Sequence, residues 1–213
     1  MTQIQKQVHE FIDKNINIRR ALEQDIASTR KLGRYISEQL KIEQDDAVIS
    51  AIRRYEFKET QDIYERARKI VKNTRISTKS DIVSIALEKD EESERFLPRI
   101  FEKINFSKGE VLRIIQAEES IKIVIDKKNF DKLEKVIPKN KIITVEKNLA
   151  EINLHLDKNA VTTPGIISVI FSELMINNIN IMESMSCVPE MLLFVKEKDL
   201  LKSYSVLFNM IKG

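Results

Sequence analysis

The chain has 213 residues, 42% of them hydrophobic, with no tryptophan, four glycines, one cysteine, two histidines and a formal charge of +3. That length suits one to three small domains with a real core; no apolar run reaches the roughly 18 residues of a membrane span and the N-terminus lacks a signal-peptide core, so a cytoplasmic protein is expected. Four glycines leave no phosphate-cradling loop or dinucleotide fingerprint, a lone Cys187 excludes an internal disulfide, and so few Cys and His exclude a zinc set.

The charge is uneven along the chain. Residues 1–75 hold sixteen Lys and Arg against twelve Asp and Glu, and the remainder holds twenty against twenty-one. A solvated helical surface explains so small an excess, and arrangement has to decide between that and a polyanion partner. Val8, Phe11 and Ile12 mark a first helix. Ser28 or Thr29 can cap a second, with Leu32, Tyr35, Ile36 and Leu40 on its buried face. After a tight turn at residues 41–44, Asp45 or Asp46 caps a third, with Val48, Ala51, Ile52 and Tyr55 inward and Ser50, Arg53, Arg54 and Lys58 outward.

The string LGRYISEQLKIEQDDAVISAIRRY resembles the helix-turn-helix of winged-helix DNA-binding domains, with Gly33 as the small residue where two helices cross. The resemblance implies that Ser50, Arg53 and Arg54 face bases while Arg30, Lys31 and Arg34 lie near phosphates. It departs from the pattern at Lys41, where a glycine is common, in the preceding helix, which runs about a turn too long, and in the lack of a basic wing hairpin ahead of Asp81. A helical domain used for dimerisation or protein contact is the alternative for residues 1–58. Residues 59–73 continue as a linker helix whose Ile63, Ala67 and Ile70 form a narrow apolar stripe, a spacer or a dimer seam. Asn73 and Thr74 break it, which places a boundary there.

Two copies of one α+β pattern follow, self-similarity at a length that marks a repeat. The first, over 74–147, has a strand with Ile82, Ile85 and Leu87, a helix from Ser93 to Ile104, strands Val111 to Ala117 and Ile121 to Ile125, and a helix from Asn129 to Val136. Between its first strand and helix runs the acidic stretch Glu88 to Glu94, read as solvated carboxylates favourably placed at a helix start rather than as a metal site. The second copy, over 148–213, opens with Ile152, Leu154 and Leu156 alternating with Asn153 and His155. It continues through the turn Thr162-Thr163-Pro164-Gly165 into a helix with Ile166, Ile167, Ile170, Phe171 and Leu174 inward and Ser168, Ser172 and Glu173 opposite. Next come a strand in which Ile179, Ile181 and Met185 alternate with polar residues, a hairpin at Val188-Pro189, the strand Met191 to Val195, and a helix with Leu200, Leu201, Tyr204, Leu207, Phe208 and Ile211 as its buried stripe. The chain stops before a fourth strand of this copy.

With TTPG ahead of its first helix, NNINIMESMS next and EMLLFVKEKDLLKSYSVL at the end, the second copy resembles the ACT domain family, ferredoxin-like (βαββαβ) modules that bind amino acids. Pro164 pre-sets a turn, Gly165 permits backbone geometry closed to other residues, and the free amides of the helix that follows favour a carboxylate. The resemblance implies an amino-acid effector held by Thr163, Pro164, Gly165, Ile166, Asn178, Asn180 and Ile181, at the interface of a homodimer paired through its sheets. A cationic effector would want a carboxylate, and Glu183 is the candidate. Thr74 to Thr78 looks similar to the segment with which aspartate kinases complete the sheet of their paired ACT domains, which implies that the two copies are interleaved.

Enzyme readings find no footing. His155 falls on the outer side of a strand and His9 on a short helix, and no nucleophile–base pair, metal set or cofactor site can be named. The whole arrangement looks like the predicted regulators of amino-acid metabolism in prokaryotes. It implies a dimeric amino-acid sensor that controls a DNA-binding head, with DNA as a second partner; the alternatives are a regulatory subunit that clamps a metabolic enzyme without binding DNA, and a scaffold whose turn stays empty.

Overall fold

The computed structural model describes residues 2–57 and 61–212, with Gln61 and Asp62 described by backbone alone; Lys58 and the start of the expected linker helix lie outside the described residues. The chain divides into two compact units, residues 1–66 and 67–213.

The first unit is helical. It comprises α1 (Gln3–Lys14), α2 (Ile16–Glu23), α3 (Thr29–Leu40) and α4 (Asp45–Arg53), and α5 (Gln61–Val71) straddles the division. Reading the sequence as three helices missed α2, an eight-residue helix that buries no residue fully but packs Ile18 and Leu22 against the core of this unit. Ser28 caps α3, accepting the Lys31 amide on its hydroxyl. Asp45 and Asp46 lie inside the first turn of α4, whose cap is Gln44, and there they complement the helix dipole instead. The core comprises Val8, Ile12, Ile36, Val48, Ala51, Ile52 and Tyr55. Tyr35, expected inside, is 47% exposed; Gly33, Ile36 and Ser37 hold the buried face of α3. Lys41 closes that helix in the left-handed conformation usual for glycine, and the Ile42 amide donates to the Ser37 carbonyl at 2.9 Å. Among the described residues this unit contains no strand, and therefore no wing hairpin.

At the α3–α4 crossing a Cβ built on Gly33 would stand 2.5 Å from Ile49 Cγ1. Ile49 is β-branched and stiff, so the helices, not a side-chain tip, would have to move. Gly33→Ala should therefore lower the stability of this unit by ~1–3 kcal/mol of overpacking, less the ~1 kcal/mol that alanine gains in helix propensity. Thermal melts of Gly33→Ala and of Gly33→Ala with Ile49→Ala check this, the double variant recovering part of the loss.

The second unit is one antiparallel sheet with helices. Its elements are β1 (Arg75–Glu88), α6 (Glu91–Lys103), β2 (Leu112–Gln116), β3 (Ser120–Asp126), α7 (Lys127–Glu134), β4 (Ile142–His155), α8 (Ile166–Ile176), β5 (Glu183–Cys187), β6 (Glu190–Lys196) and α9 (Leu200–Lys212), and the strand order is β2-β3-β1-β4-β6-β5. Both 14-residue strands serve two sub-sheets. In β1, residues 82–88 pair with β3, while Arg75, Ile76, Ser77 and Thr78 pair with His155, Leu154, Asn153 and Ile152 of β4. Each bends where one short polar residue takes a positive φ, Asp81 at 56° and Asn148 at 57°, as Asp and Asn tolerate better than most. Residues 142–146, with no strand assigned in the sequence reading, complete the sheet of the first copy.

The sheet curls. Val83, Ile85, Leu87, Ile121, Ile123 and Ile125 pack with Ile100 of α6 and Phe130 and Leu133 of α7 on one face. Ile82, Val124, Leu149, Met185, Leu192 and Phe194 meet on the other. Two ion pairs span this concave side, Arg113 of β2 to Glu151 of β4 at 3.2 Å and Lys122 of β3 to Glu183 of β5 at 2.5 Å. Burial on both faces explains why Met191–Val195 reads as an unbroken apolar run.

Two expected apolar stripes and one strand start need correction. On α8 the buried residues are Ile166, Val169, Ile170 and Leu174, with Ile167 54% exposed; on α9 they are Ser203, Leu207, Met210 and Ile211, with Leu201 82% exposed and Tyr204 and Phe208 also outward. Both helices lie against the sheet on a narrower arc than the apolar residues occupy. The strand expected from Ile179 begins only at Glu183, because the chain leaves α8 through Asn178 at φ 52°.

Candidate ligand cleft

Helix α8 begins at Gly165, which has φ 89° and no side chain to cap the first turn. The amides of that turn have no helical acceptor, and their alignment makes the end partly positive. Ahead of it a 3₁₀ segment, Lys158–Thr162, folds back so that the Asn159 carbonyl accepts the Thr163 hydroxyl at 2.8 Å. This turn, the start of α8 and the β5–β6 hairpin with its cis Val188-Pro189 bond enclose a cleft of about 400 Å³. It is lined mainly by Leu156, Ala160, Val161, Ile166, Ile167, Val188 and Met191, with Ser168 and Ser186 as hydroxyls.

The sequence-derived ligand residues divide between two hollows. Thr163, Gly165 and Ile166 line this cleft, whereas Asn178, Asn180 and Ile181 line a second hollow of about 730 Å³ between the other end of α8 and β5. Ser168 lines both; Pro164 lines neither. The Thr163 hydroxyl is already engaged within the turn. The residues of 156–161 and the hairpin wall were missed, because their part in the cleft depends on a 3₁₀ turn and a hairpin meeting in space. Only the Val188-Pro189 turn signal pointed to one of them.

The topologically equivalent place in the first copy, the start of α6, is built differently. Asp90 caps that helix, one carboxylate oxygen accepting the Ser93 amide at 2.7 Å and the other bonded to Lys141, which also reaches Glu92 at 3.2 Å. The Lys141 ammonium, then the Ser93 amide, hold the Asp90 carboxyl down at about 2, and the same two acids push Lys141 up. A protein carboxylate already occupies this helix start. The acidic stretch thus caps a helix, and among the described residues no group of acids, histidines and cysteine is arranged to hold a metal.

Because the folded-state pKa of Asp90 lies below the ~3.9 of an unfolded aspartate, its contribution to stability is complete above about pH 4 and is lost as the pH falls toward 2. Glu110, also held at about 2, chiefly by the Asn105 amide and then by Lys128, acts in the same window. Urea melts against pH should show the acid limb of stability made shallower by Asp90→Asn and shallower again by adding Glu110→Gln.

On the helical unit, Arg30, Lys31 and Arg34 on the first half of α3 and Ser50, Arg53 and Arg54 on and just after α4 are all exposed. His9 is tied inward, its Nε2 3.0 Å from the Ala51 carbonyl. No helix among the described residues is long and apolar enough to cross a membrane.

No family model matches the chain, and no curated protein matches it. Solved structures do. An aspartate kinase from Synechocystis is similar at 17% identity with a TM-score of 0.52, over 64% of this chain and 26% of that one. An aspartate kinase from Clostridium acetobutylicum is similar at 21% identity and 0.50, over 64% and 34%. A structure of aspartokinase alpha and beta subunits matches at 12% identity and 0.50, over 65% of this chain and 97% of the other. The chain thus spans about a third or less of the two whole kinases. At these identities the likeness is one of fold: mixed α+β with a curled antiparallel sheet, shared with part of these aspartate kinase chains.

Proposed function

We propose that this chain is an amino-acid-responsive regulatory protein whose sheet unit binds its effector in the Gly165 cleft and whose target is a metabolic enzyme. The observation that carries the reading is the contrast between two equivalent helix starts, one closed by Asp90 and Lys141, the other uncapped and opening on an apolar cleft. A helix start without an internal anion suits the carboxylate of an amino acid, and a concave apolar site with few polar groups suits a small ligand. The fold likeness to chains of aspartate kinases supports the setting, and the match over nearly all of one aspartokinase subunit chain supports a chain of this fold working beside an enzyme. In this reading the protein acts in the cytoplasm as a homodimer paired through its sheets, without a cofactor of its own, and its helical unit is the output surface. A thermal-shift screen of the twenty amino acids tests it, since a ligand of the folded state alone raises the melting point by mass action. No shift at millimolar concentrations for any of them removes the reading.

DNA is the second reading for the helical unit, favoured by the close α3–α4 crossing at Gly33 and the exposed Ser50, Arg53 and Arg54 on and just after α4. Fluorescence anisotropy with duplex DNA at low salt discriminates. Binding that weakens steeply with salt and is lost in Arg53→Ala with Arg54→Ala selects DNA, and flat traces select the enzyme partner.

A further inference from the structure

The side of the sheet on which each carboxylate lies narrows the ligand. Directly opposed residues of an antiparallel pair point the same way. Glu183 opposes Phe194, and Cys187 opposes Glu190, within the set Glu183, Met185, Cys187, Glu190, Leu192 and Phe194. Met185, Leu192 and Phe194 lie in the concave core, so Glu183 and Glu190 turn to that side too. Their partners agree: Lys122 holds Glu183, and Asn153 donates to Glu190 at 3.1 Å. Both acids border the hollows through their backbones while their charges lie across the sheet. Ser184 and Ser186, of the opposite phase, face the hollows.

Among the described residues that leaves Asp157 as the one ionisable side chain at the cleft, with one oxygen already accepting the Asn159 amide at 2.8 Å, and no lysine or arginine in the lining of either hollow. A ligand carboxylate side chain would be taken from water to an apolar wall without a partner, and a ligand cation would meet there only the second oxygen of Asp157. We propose that the effector is an amino acid with an uncharged, apolar side chain, seated against Leu156, Ile167, Val188 and Met191. This rests on the cleft assigned under the proposed function and narrows it to a ligand class; Glu183, the carboxylate that would have suited a cationic effector, belongs to Lys122.

Calorimetry on the full chain tests it, with leucine, isoleucine, valine and methionine set against lysine, arginine, aspartate and glutamate. The expected result is that at least one aliphatic amino acid binds at least 30-fold more tightly than any charged one and that Gly165→Val abolishes the binding. Ile167→Glu, at a half-exposed position the fold does not need, should cut aliphatic affinity at least tenfold and bring measurable lysine binding. A charged amino acid as the tightest ligand, lost in Gly165→Val, overturns the ligand class and leaves the cleft standing. Aliphatic binding indifferent to both substitutions overturns the placement, and no binding by any of the eight overturns the class and counts against the functional reading with it.

Discussion

Gly165→Val is expected to abolish the proposed amino-acid binding while the chain still folds. The position has φ 89°, and a β-branched residue forced into that region costs on the order of 1–3 kcal/mol. That is a fraction of the 5–15 kcal/mol of a typical domain, so a melt of the unliganded variant should fall only a few degrees, by about 2–4 °C per kcal/mol for a chain of this size. Binding suffers more, because relief of strain swings the first-turn amides of α8 away and the new methyls enter the cleft. Calorimetry on wild type and variant decides it; undiminished binding would remove the site from this turn.

Deleting Ile76 to Thr78 should have the larger effect on the fold. Those residues pair with Leu154, Asn153 and Ile152, and Leu154 and Ile152 are fully buried. Uncovering two large aliphatic side chains costs ~1.5–3 kcal/mol each, and Ile76 goes with them. The ladder hydrogen bonds of β4 are lost too, so the sum approaches the whole stability of a domain. The expected result is loss of the cooperative melting of residues 149–213, seen as rapid amide exchange in β4 and β6 under conditions where wild type is protected. An unchanged melting curve would show that this segment does not hold the second copy together.

Much of this fold could be read from residue pattern. The alternation at Ile152 and Leu154, the helical spacing in α6 and α7, and the Pro-Gly turn each follow from local physics that acts before tertiary contacts form. What escaped in the strands and in the faces of α8 and α9 has a common cause in the curl of the sheet. Curling buries both faces, so the strands lose their alternation, and it leaves α8 and α9 a narrower seat than their apolar residues would fill. Ile167, Leu201 and Phe208 therefore stand outside where periodicity placed them inside. At the cleft, the turn at Gly165 was legible because its chemistry is local. The separation of Asn178, Asn180 and Ile181 into another hollow was not, since it is set by where a loop after α8 happens to run.

The Asp90–Lys141 clasp bears on how steeply the protein can respond. Two copies of one fold offer two helix starts, yet here one of the pair is already filled by the Asp90 carboxylate and Lys141. On the proposed reading each polypeptide should then saturate as a simple hyperbola with a single equivalent of effector. A sigmoidal dose–response, if one is measured, must originate between polypeptides and not within one.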